Sequence, residues 1–328
     1  MIAIGILGCG RIGPPALVRP AQILAPEVVV SAVASREASR ATKFARQHQI
    51  TRAYGNYEEL IHDQELDAVY NALPNSLHAE WSIRALEAGK HVLCEKPIAC
   101  NAAEARRMAA AAAQNGRLLV EAFHYRHHPL ALRMKEIVAS GELGELRHIE
   151  ADFCVPLWRF SDIRYSYELG GGATMDLGCY CIHLIRWLGG GEPEVTRARA
   201  LTARPEVDRY MEAEFRFPSG LTAQMTCSLW SRVLLRTRAI VQGTRGELRV
   251  LLPFQPHFFN RLTVTSEGKT RTETFQKERS YVWQLRAFAA AVRGESPPAN
   301  EATDAAENMR VIDQVYEKAG LKPRGELA

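Results

Sequence analysis

The spacing of apolar and polar residues changes character once along the chain. Up to about residue 122, apolar residues come in short unbroken runs separated by helical patterns. Ile2–Leu7, Val28–Ala34, 68–72, the Val92-Leu93-Cys94 run and 118–122 have the make-up of strands buried on both faces of a parallel sheet. Residues 57–62, a segment running from 75 to 88, and an alanine-rich segment from Asn101 to Gly116 read as helices. Asn75 or Ser76 is the expected N-cap of the second, and Asn101-Ala-Ala-Glu104 resembles a capping box opening the third. About six strands alternating with helices predict a doubly wound parallel sheet over residues 1–122.

Beyond residue 122 the period changes. Pro129 opens an amphipathic helix carrying Leu130, Met134, Ile137 and Val138, and Gly141 stops it. Alternation then takes over. Met211, Ala213, Phe215 and Phe217 point one way; after Pro218-Ser219-Gly220, so do Leu221, Ala223, Met225, Cys227 and Leu229. Period two on both sides of a tight turn predicts a hairpin. Residues 236–242 and 247–252, joined by Gly243-Thr-Arg-Gly246, predict another pair, and 281–292 and 303–319 predict closing helices. The expected second domain, 123–328, is an α/β domain with a large, mostly antiparallel open sheet. Helices cover one face of it, and the other is open to a second copy of the chain.

Composition narrows the class. At 328 residues the chain exceeds one ordinary core, in keeping with two domains. A net charge of +4 with no Lys/Arg-rich run argues against nucleic acid, and the lack of any ~18-residue apolar stretch argues against a membrane. Seven cysteines, an odd number without regular spacing, fit reduced thiols in a cytoplasmic protein.

Two stretches carry chemistry in the first domain. Gly8-Cys9-Gly10-Arg11-Ile12-Gly13 directly follows the first strand and precedes a second, the setting of a dinucleotide pyrophosphate turn. Pro14 and Pro15 require its helix to be short or to start late. At the end of the second strand, where an NAD site carries an acid, stand Ser35-Arg36 with Arg40 one turn on. A hydroxyl and guanidinium groups suit a 2′-phosphate, hence NADP(H); Glu37 keeps NAD(H) open. The third strand ends in Leu73-Pro74-Asn75-Ser76-Leu77-His78, where Asn75 and His78 border the nicotinamide ribose or serve the helix start. His91-Val-Leu-Cys-Glu95-Lys96-Pro97 is the other stretch. Pro97 ends the strand, leaving Glu95 and Lys96 at the carboxyl edge where α/β sheets bind ligands. A lysine there can donate a proton or polarise a carbonyl.

In the second domain, Gly170-Gly-Gly precedes a segment in which Asp176, Tyr180, His183 and Trp187 fall on one helical stripe. Such a stripe is either a satisfied buried network or a ligand face. The triple glycine favours the ligand, because it lets backbone approach a neighbouring group closely. His127-His128 lack a carboxylate or thiol set and are read as no metal site.

Together these motifs resemble the Gfo/Idh/MocA oxidoreductase family over nearly the whole chain. They are the glycine turn, Pro74-Asn75-x-x-His78, the Glu95-Lys96-Pro97 segment, Gly141-x-x-Gly144, and Gly-Gly-Gly-Ala-x-x-Asp176-x-Gly178. The resemblance implies a Rossmann domain followed by an open-sheet domain often used for oligomerisation, here a homodimer or homotetramer. It implies hydride transfer between NAD(P) and a hydroxyl or carbonyl carbon of a carbohydrate-like substrate. Lys96 matches the family's catalytic lysine, Glu95 the motif residue beside it, and Asp176 a site residue of the second domain. Where the commonest pattern has a histidine four residues after the aspartate, this chain has Tyr180. That is similar to the branch of dimeric dihydrodiol dehydrogenase and NADP-dependent D-xylose dehydrogenases. Phe123, Tyr125, Arg126, Trp158, Arg159 and Arg164 are similar to that branch too. Trp158 and Arg159 are assigned to the cofactor; Phe123, Tyr125, Arg126 and His183 to the substrate. The expected mechanism brings the two halves together: Tyr180 gives a proton to the carbonyl oxygen, Lys96 polarises that oxygen and stabilises the phenolate, and Asp176 holds Lys96 or a substrate hydroxyl. The same fold also carries NAD(P)-sensing regulators without catalysis and redox-neutral NAD-dependent glycosidases, the two alternatives.

Overall fold

The computed structural model describes residues 1–299 and 301–325. They form two compact units: Met1–His124 with Tyr281–Ala306, and Tyr125–Ser280 with the segment from Glu307 onward.

The first unit is built on six strands, β1 (Ile2–Leu7), β2 (Val28–Ala34), β3 (Arg52–Tyr54), β4 (Ala68–Asn71), β5 (His91–Cys94) and β6 (Leu119–Glu121). They pair in parallel in the order β3-β2-β1-β4-β5-β6. All six residues of β1 are buried, as a central strand with helices on both faces requires. Five helices fall between the strands: α1 (Arg19–Ile23), α2 (Ala38–His48), α3 (Tyr57–Ile61), α4 (His78–Glu87) and α5 (Ala102–Gln114). The turn of chain before α1 is a π-helix, Pro14–Val18, closed by the Arg19 N–H on Pro14 O. Pro20 has no N–H for the carbonyl four residues back, so a regular α turn cannot run through this point. The expected short helix is thus two short pieces.

The order of strands reverses between β1 and β4, which are neighbours. The loops after these two strands therefore open the crevice where a doubly wound sheet binds ligands.

The second unit holds α6 (Pro129–Ala139), α7 (Cys179–Gly189) and eight strands. These are β7 (Leu146–Cys154), β8 (Glu194–Arg204), β9 (Val207–Arg216), β10 (Thr222–Ser228), β11 (Arg236–Gly243), β12 (Gly246–Leu251), β13 (Arg261–Ser266) and β14 (Lys269–Glu273). Their order is β14-β13-β12-β11-β7-β10-β9-β8, antiparallel except where β7 meets β10. The expected β9–β10 hairpin is present, with Ala213 opposite Met225 and Phe215 opposite Ala223. α7 packs on β7 and β10. The opposite face is charged: Arg236 and Arg238 both reach Asp152, and Arg238 also reaches Glu150.

Two helices close the chain, α8 (Ser280–Val292) and α9 (Ala302–Lys318). The sequence reading places both in the second domain. Here α8 buries Val282, Leu285, Phe288 and Ala289 in the core of the first unit, with Ile4, Ile6, Leu17 and Tyr70. Burying a large apolar side chain is worth about 1.5–3 kcal/mol, so this face decides where the helix belongs.

Two expectations are corrected. Asn75–Leu77 is a 3-10 turn and α4 begins at His78, with Leu77 at the cap position and no side-chain cap bond. The segment after the triple glycine is also not one regular helix. Thr174–Gly178 is a π-helix, closed by the Cys179 N–H on Thr174 O, before α7 begins.

Two of the three glycines, Gly171 and Gly172, make room for protein groups. A Cβ on Gly172, at φ +139°, would lie 2.2 Å from Asp208 Oδ1 and 2.7 Å from Tyr316 Oη. A Cβ on Gly171 would meet Arg164 O at 2.6 Å. The close neighbour is a buried ion pair, Arg324 Nη2 to Asp208 Oδ1 at 3.1 Å, with both side chains wholly buried. Asp208 also accepts from Tyr316 Oη (2.9 Å), the Thr174 N–H (2.7 Å) and Thr174 Oγ1 (2.8 Å). Arg324 also donates to the Gly171 and Lys322 carbonyls. Removing one partner of a buried pair leaves the other uncompensated, at a cost of about 3–5 kcal/mol. Arg324→Met is therefore expected to lower the urea midpoint by that equivalent with an unchanged slope; an unchanged midpoint would show the pair to be dispensable.

Candidate active site

The first unit gathers its expected site residues along the carboxyl ends of its strands. The turn after β1 is tight. Gly8 sits at φ +93°, where a Cβ would lie 3.0 Å from Leu73 Cδ2, and its N–H bonds Ala34 O at 2.9 Å. The Gly13 and Ala16 N–H groups bond Gly10 O and Ile12 O, and Pro14 and Pro15 have none. A pyrophosphate would thus be met by the segment Cys9–Ile12. A dinucleotide fits this turn: the strand, the positive-φ glycine and the neighbouring Leu73–Asn75 loop are all in place.

Ser35 is buried at the end of β2, and its Oγ accepts the Glu37 N–H at 3.5 Å. Arg36 and Arg40 are exposed beside it. Arg36 bonds the Tyr57 side chain, whose pKa is raised mainly by burial. Burial also raises the Cys9 thiol, against the opposing charge of Arg40. Two guanidinium groups thus flank the glycine turn.

Lys96 stands at the end of β5 on a backbone held from three sides. Its N–H lies 3.3 Å from Glu95 Oε2, and Glu95 Oε1 accepts Tyr70 Oη at 2.5 Å. The Ile98 N–H bonds Glu121 Oε1 at 2.8 Å. Between them, the Pro97 carbonyl lies 2.9 Å from His78 Nδ1. Glu95, Glu121, Tyr70 and His78 are all buried. Burial, then the charge of Glu95, pushes the Tyr70 phenol well up. His78 Nε2 lies 2.9 Å from Leu73 O, so both ring nitrogens meet backbone and the ring joins the loops after β4 and β5. Asn71 completes the set, its Nδ2 donating to His78 O and Ser82 Oγ. Sequence reasoning missed Tyr70, Asn71 and Glu121. Asn71 and Glu121 carried a signal: each is a polar residue at the end of an otherwise apolar strand.

The second unit holds the other candidates. Asp176 lies in the π turn and pairs with Arg164 Nε at 2.9 Å; Arg164 also reaches Asp162 Oδ1 at 3.1 Å. The Asp176 charge is the main reason the Arg164 pKa is raised. The Tyr180 ring is enclosed by Phe153, Phe254 and Tyr125 at centroid distances of 5.5–5.8 Å. His183 is buried; its Nδ1 lies 2.6 Å from Tyr125 Oη and its Nε2 3.5 Å from Arg126 Nη1. Arg126 also sits over the Trp187 ring at 5.3 Å. Tyr125, Arg126, Tyr180 and His183 are thus together, and Asp176 pairs with Arg164. Trp158 is 71% exposed, and Arg159 is exposed beside it. Phe123 is fully buried in the first unit, just after β6. His128 caps α6 through Nδ1 and meets Gln276 O through Nε2, while His127 is half-buried.

Comparison with known proteins gives the family. Residues 2–123 match the model of the oxidoreductase family with an NAD-binding Rossmann fold, and 131–249 match the GFO/IDH/MocA C-terminal domain. The chain is 38% identical over 318 residues to D-xylose 1-dehydrogenase (NADP(+)) 2 of Haloferax volcanii, covering 96% of each chain. It is 35% identical over 250 residues to trans-1,2-dihydrobenzene-1,2-diol dehydrogenase of Bos taurus, covering 76% of this chain and 74% of that protein. A 3-ketoreductase from Actinomadura kijaniata, solved with NADP and TDP-benzene, is similar at a TM-score of 0.87 and 30% identity, covering 98% of each chain. The chain therefore belongs to the Gfo/Idh/MocA family of NAD(P)-dependent oxidoreductases.

Burial holds His78 and His127 at a pKa of about 4. In the unfolded chain each takes up a proton near pH 6.5, while in the folded chain it does not until about pH 4. Their contribution is complete above 6.5 and is lost as pH falls toward 4, by roughly 2 kcal/mol per ring at pH 5. Urea midpoints should fall between pH 7 and 5, and less steeply in His127→Asn; equal slopes would contradict this account.

Proposed function

We propose that the protein moves a hydride between NADP(H) and a hydroxyl or carbonyl carbon of a sugar, a sugar-like molecule or a cyclic diol. The observation that carries this reading is Lys96. It stands on a backbone fixed by buried polar side chains, at the carboxyl edge of a sheet whose neighbouring loops suit a dinucleotide. NADP(H), when bound, supplies or accepts the hydride.

Arg36 and Arg40, with Ser35, grip the 2′-phosphate, and the segment Cys9–Ile12 meets the pyrophosphate. Trp158 and Arg159 add to the cofactor site. Lys96 polarises the reacting oxygen and Tyr180 passes a proton to it. Asp176, steadied by Arg164, holds Lys96 or a substrate hydroxyl, and Tyr125, Arg126 and His183 shape the substrate pocket. Solved structures of the Actinomadura reductase include a lysine variant and a tyrosine variant, which supports assigning the pair.

The protein works in the cytoplasm as a homodimer or homotetramer joined through the charged face of the eight-stranded sheet. No helix among the described residues is long and apolar enough to cross a membrane.

A panel of D-xylose, other aldoses, ketosugars, dihydrodiols and dicarbonyls, assayed with both cofactors, tests the activity. NADP(H)-linked turnover of one member is expected. Loss of all net absorbance change at 340 nm, with cofactor retained through gel filtration, would favour a redox-neutral cycle instead.

Lys96→Met and Tyr180→Phe should each cut turnover by ~10² or more while leaving NADPH binding intact; normal turnover in both removes the mechanism. Arg36→Ala and Arg40→Ala should each raise the KM for NADP+ about tenfold or more, since a hydrogen bond to a charged group is worth ~1.5–3 kcal/mol. The KM for NAD+ should stay put, and a parallel rise in both would show that these arginines do not read the 2′-phosphate.

A further inference from the structure

We infer that His78 is a positioning residue for Lys96, holding it in place by donating its Nδ1–H to the Pro97 carbonyl. This rests on the reading of Lys96 as the group that acts on the reacting oxygen.

The backbone on either side of Pro97 is held by acceptors. The Lys96 N–H lies against Glu95 Oε2 and the Ile98 N–H donates to Glu121 Oε1. Pro97 has no N–H, so only its carbonyl can be gripped, and that requires a donor. His78 Nδ1, at 2.9 Å, is in place to be that donor.

The ring is itself well anchored. It is fully buried, it belongs to the first residue of α4, and its own carbonyl accepts from Asn71 Nδ2 at 3.2 Å. A line of polar contacts thus runs from the end of β4, through the start of α4, to the residue after Lys96. The Lys96 charge also acts on the ring.

Both ring nitrogens face carbonyls, and a carbonyl only accepts. Burial keeps the ring neutral at ordinary pH, so it has one proton for two acceptors. With the proton on Nδ1 the ring grips the loop that carries Lys96. With the proton on Nε2 it grips Leu73 and the loop beside the glycine turn. The two settings predict different kinetics. Loosening Pro97 displaces a reacting group and lowers kcat, whereas loosening Leu73 weakens cofactor binding. An engaged, buried ring has no nitrogen left for a ribose hydroxyl, which is why the role assigned is indirect.

An amide can copy one nitrogen at a time. In His78→Asn the amide nitrogen falls near the Nδ1 position, and in His78→Gln near the Nε2 position. Both variants, Lys96→Met, and Lys96→Met with His78→Gln are compared. The readouts are melting temperature, NADPH affinity by fluorescence, and turnover of the panel member the wild type uses. His78→Asn should keep kcat within about threefold. His78→Gln should lose roughly 10- to 100-fold in kcat with NADPH affinity unchanged, the scale of a reacting group misplaced by about 1 Å. In the Lys96→Met background, His78→Gln should cost less than about twofold, because residues acting through one group are not additive.

The inference is overturned if His78→Gln keeps kcat while His78→Asn loses it. It is also overturned if the cost of His78→Gln persists in full without Lys96. If His78→Gln does not fold, His78→Asn decides alone, and a large loss of kcat with NADPH bound normally refutes the tether. Normal turnover in Lys96→Met, or no turnover of any panel member, would instead remove the underlying reading of the active site, and this inference with it.

Discussion

The first unit depends on keeping a set of buried polar side chains satisfied around residues 95–98. Glu95, Glu121, Tyr70, Asn71 and His78 lie where the sheet is otherwise apolar. An unpaired carboxylate there would cost several kcal/mol. Each carboxyl group instead receives donors: Tyr70 and the Lys96 N–H for Glu95, the Ile98 N–H for Glu121. The backbone on both sides of Pro97 is tied down as a result. A lysine side chain has torsions of its own, and a fixed backbone sets the point from which it reaches. In this account the buried groups serve to place Lys96 more than to add stability, since apolar residues would fill the same volume at less cost.

The second unit applies the same constraint to a different segment. Asp208 and Arg324 are 116 positions apart and wholly buried together. Their hydrogen bonds to Thr174 and Gly171 fix the chain just before Asp176. Gly172 lacks a side chain because the ion pair occupies the space one would need. In both units a candidate reacting group is exposed to some degree, and the charges that hold its backbone are not.

Features that follow from local pattern were legible in the sequence. Unbroken apolar runs gave five of the six parallel strands, β3 (Arg52–Tyr54) having none; alternation gave the β9–β10 and β11–β12 pairs, and the glycine turn and Pro97 marked the carboxyl ends of β1 and β5. What escaped depends on distant partners. The role of the triple glycine could not be seen without knowing that Asp208 and Arg324 meet beside it. β8 and β14 are edge strands rich in charge, with arginines at 197, 199 and 204 in one and alternating Lys, Thr and Arg in the other; neither shows an apolar period. The allegiance of α8 was hidden because an apolar face says that a helix is buried, not against which core. Asn75 and Ser76 have the chemistry of an N-cap, yet the loop tightens into a 3-10 turn and lets His78, whose ring is engaged with backbone, begin the helix.

The π turn before α7 alters the helix on which the predicted stripe was laid out, and the residues on either side of it have unlike surroundings. On a regular helix Asp176 and Tyr180 would share one face, and their surroundings would be alike. Here the Cys179 N–H skips to the carbonyl five residues back, which widens the turn and shifts everything before it around the axis. Gly178 permits this, for a Cβ there would lie 3.0 Å from Cys227 Sγ and 3.2 Å from Thr174. Asp176 keeps a 19% exposed carboxylate paired with the half-exposed Arg164. Tyr180, 5% exposed, keeps its ring among Phe153, Phe254 and Tyr125. The environments suit different tasks. A partly solvated carboxylate can bind and release a polar molecule without a large desolvation cost, while a phenol packed among aromatic rings is held in one orientation. One segment thus carries a partly solvated carboxylate and an enclosed phenol on adjacent turns.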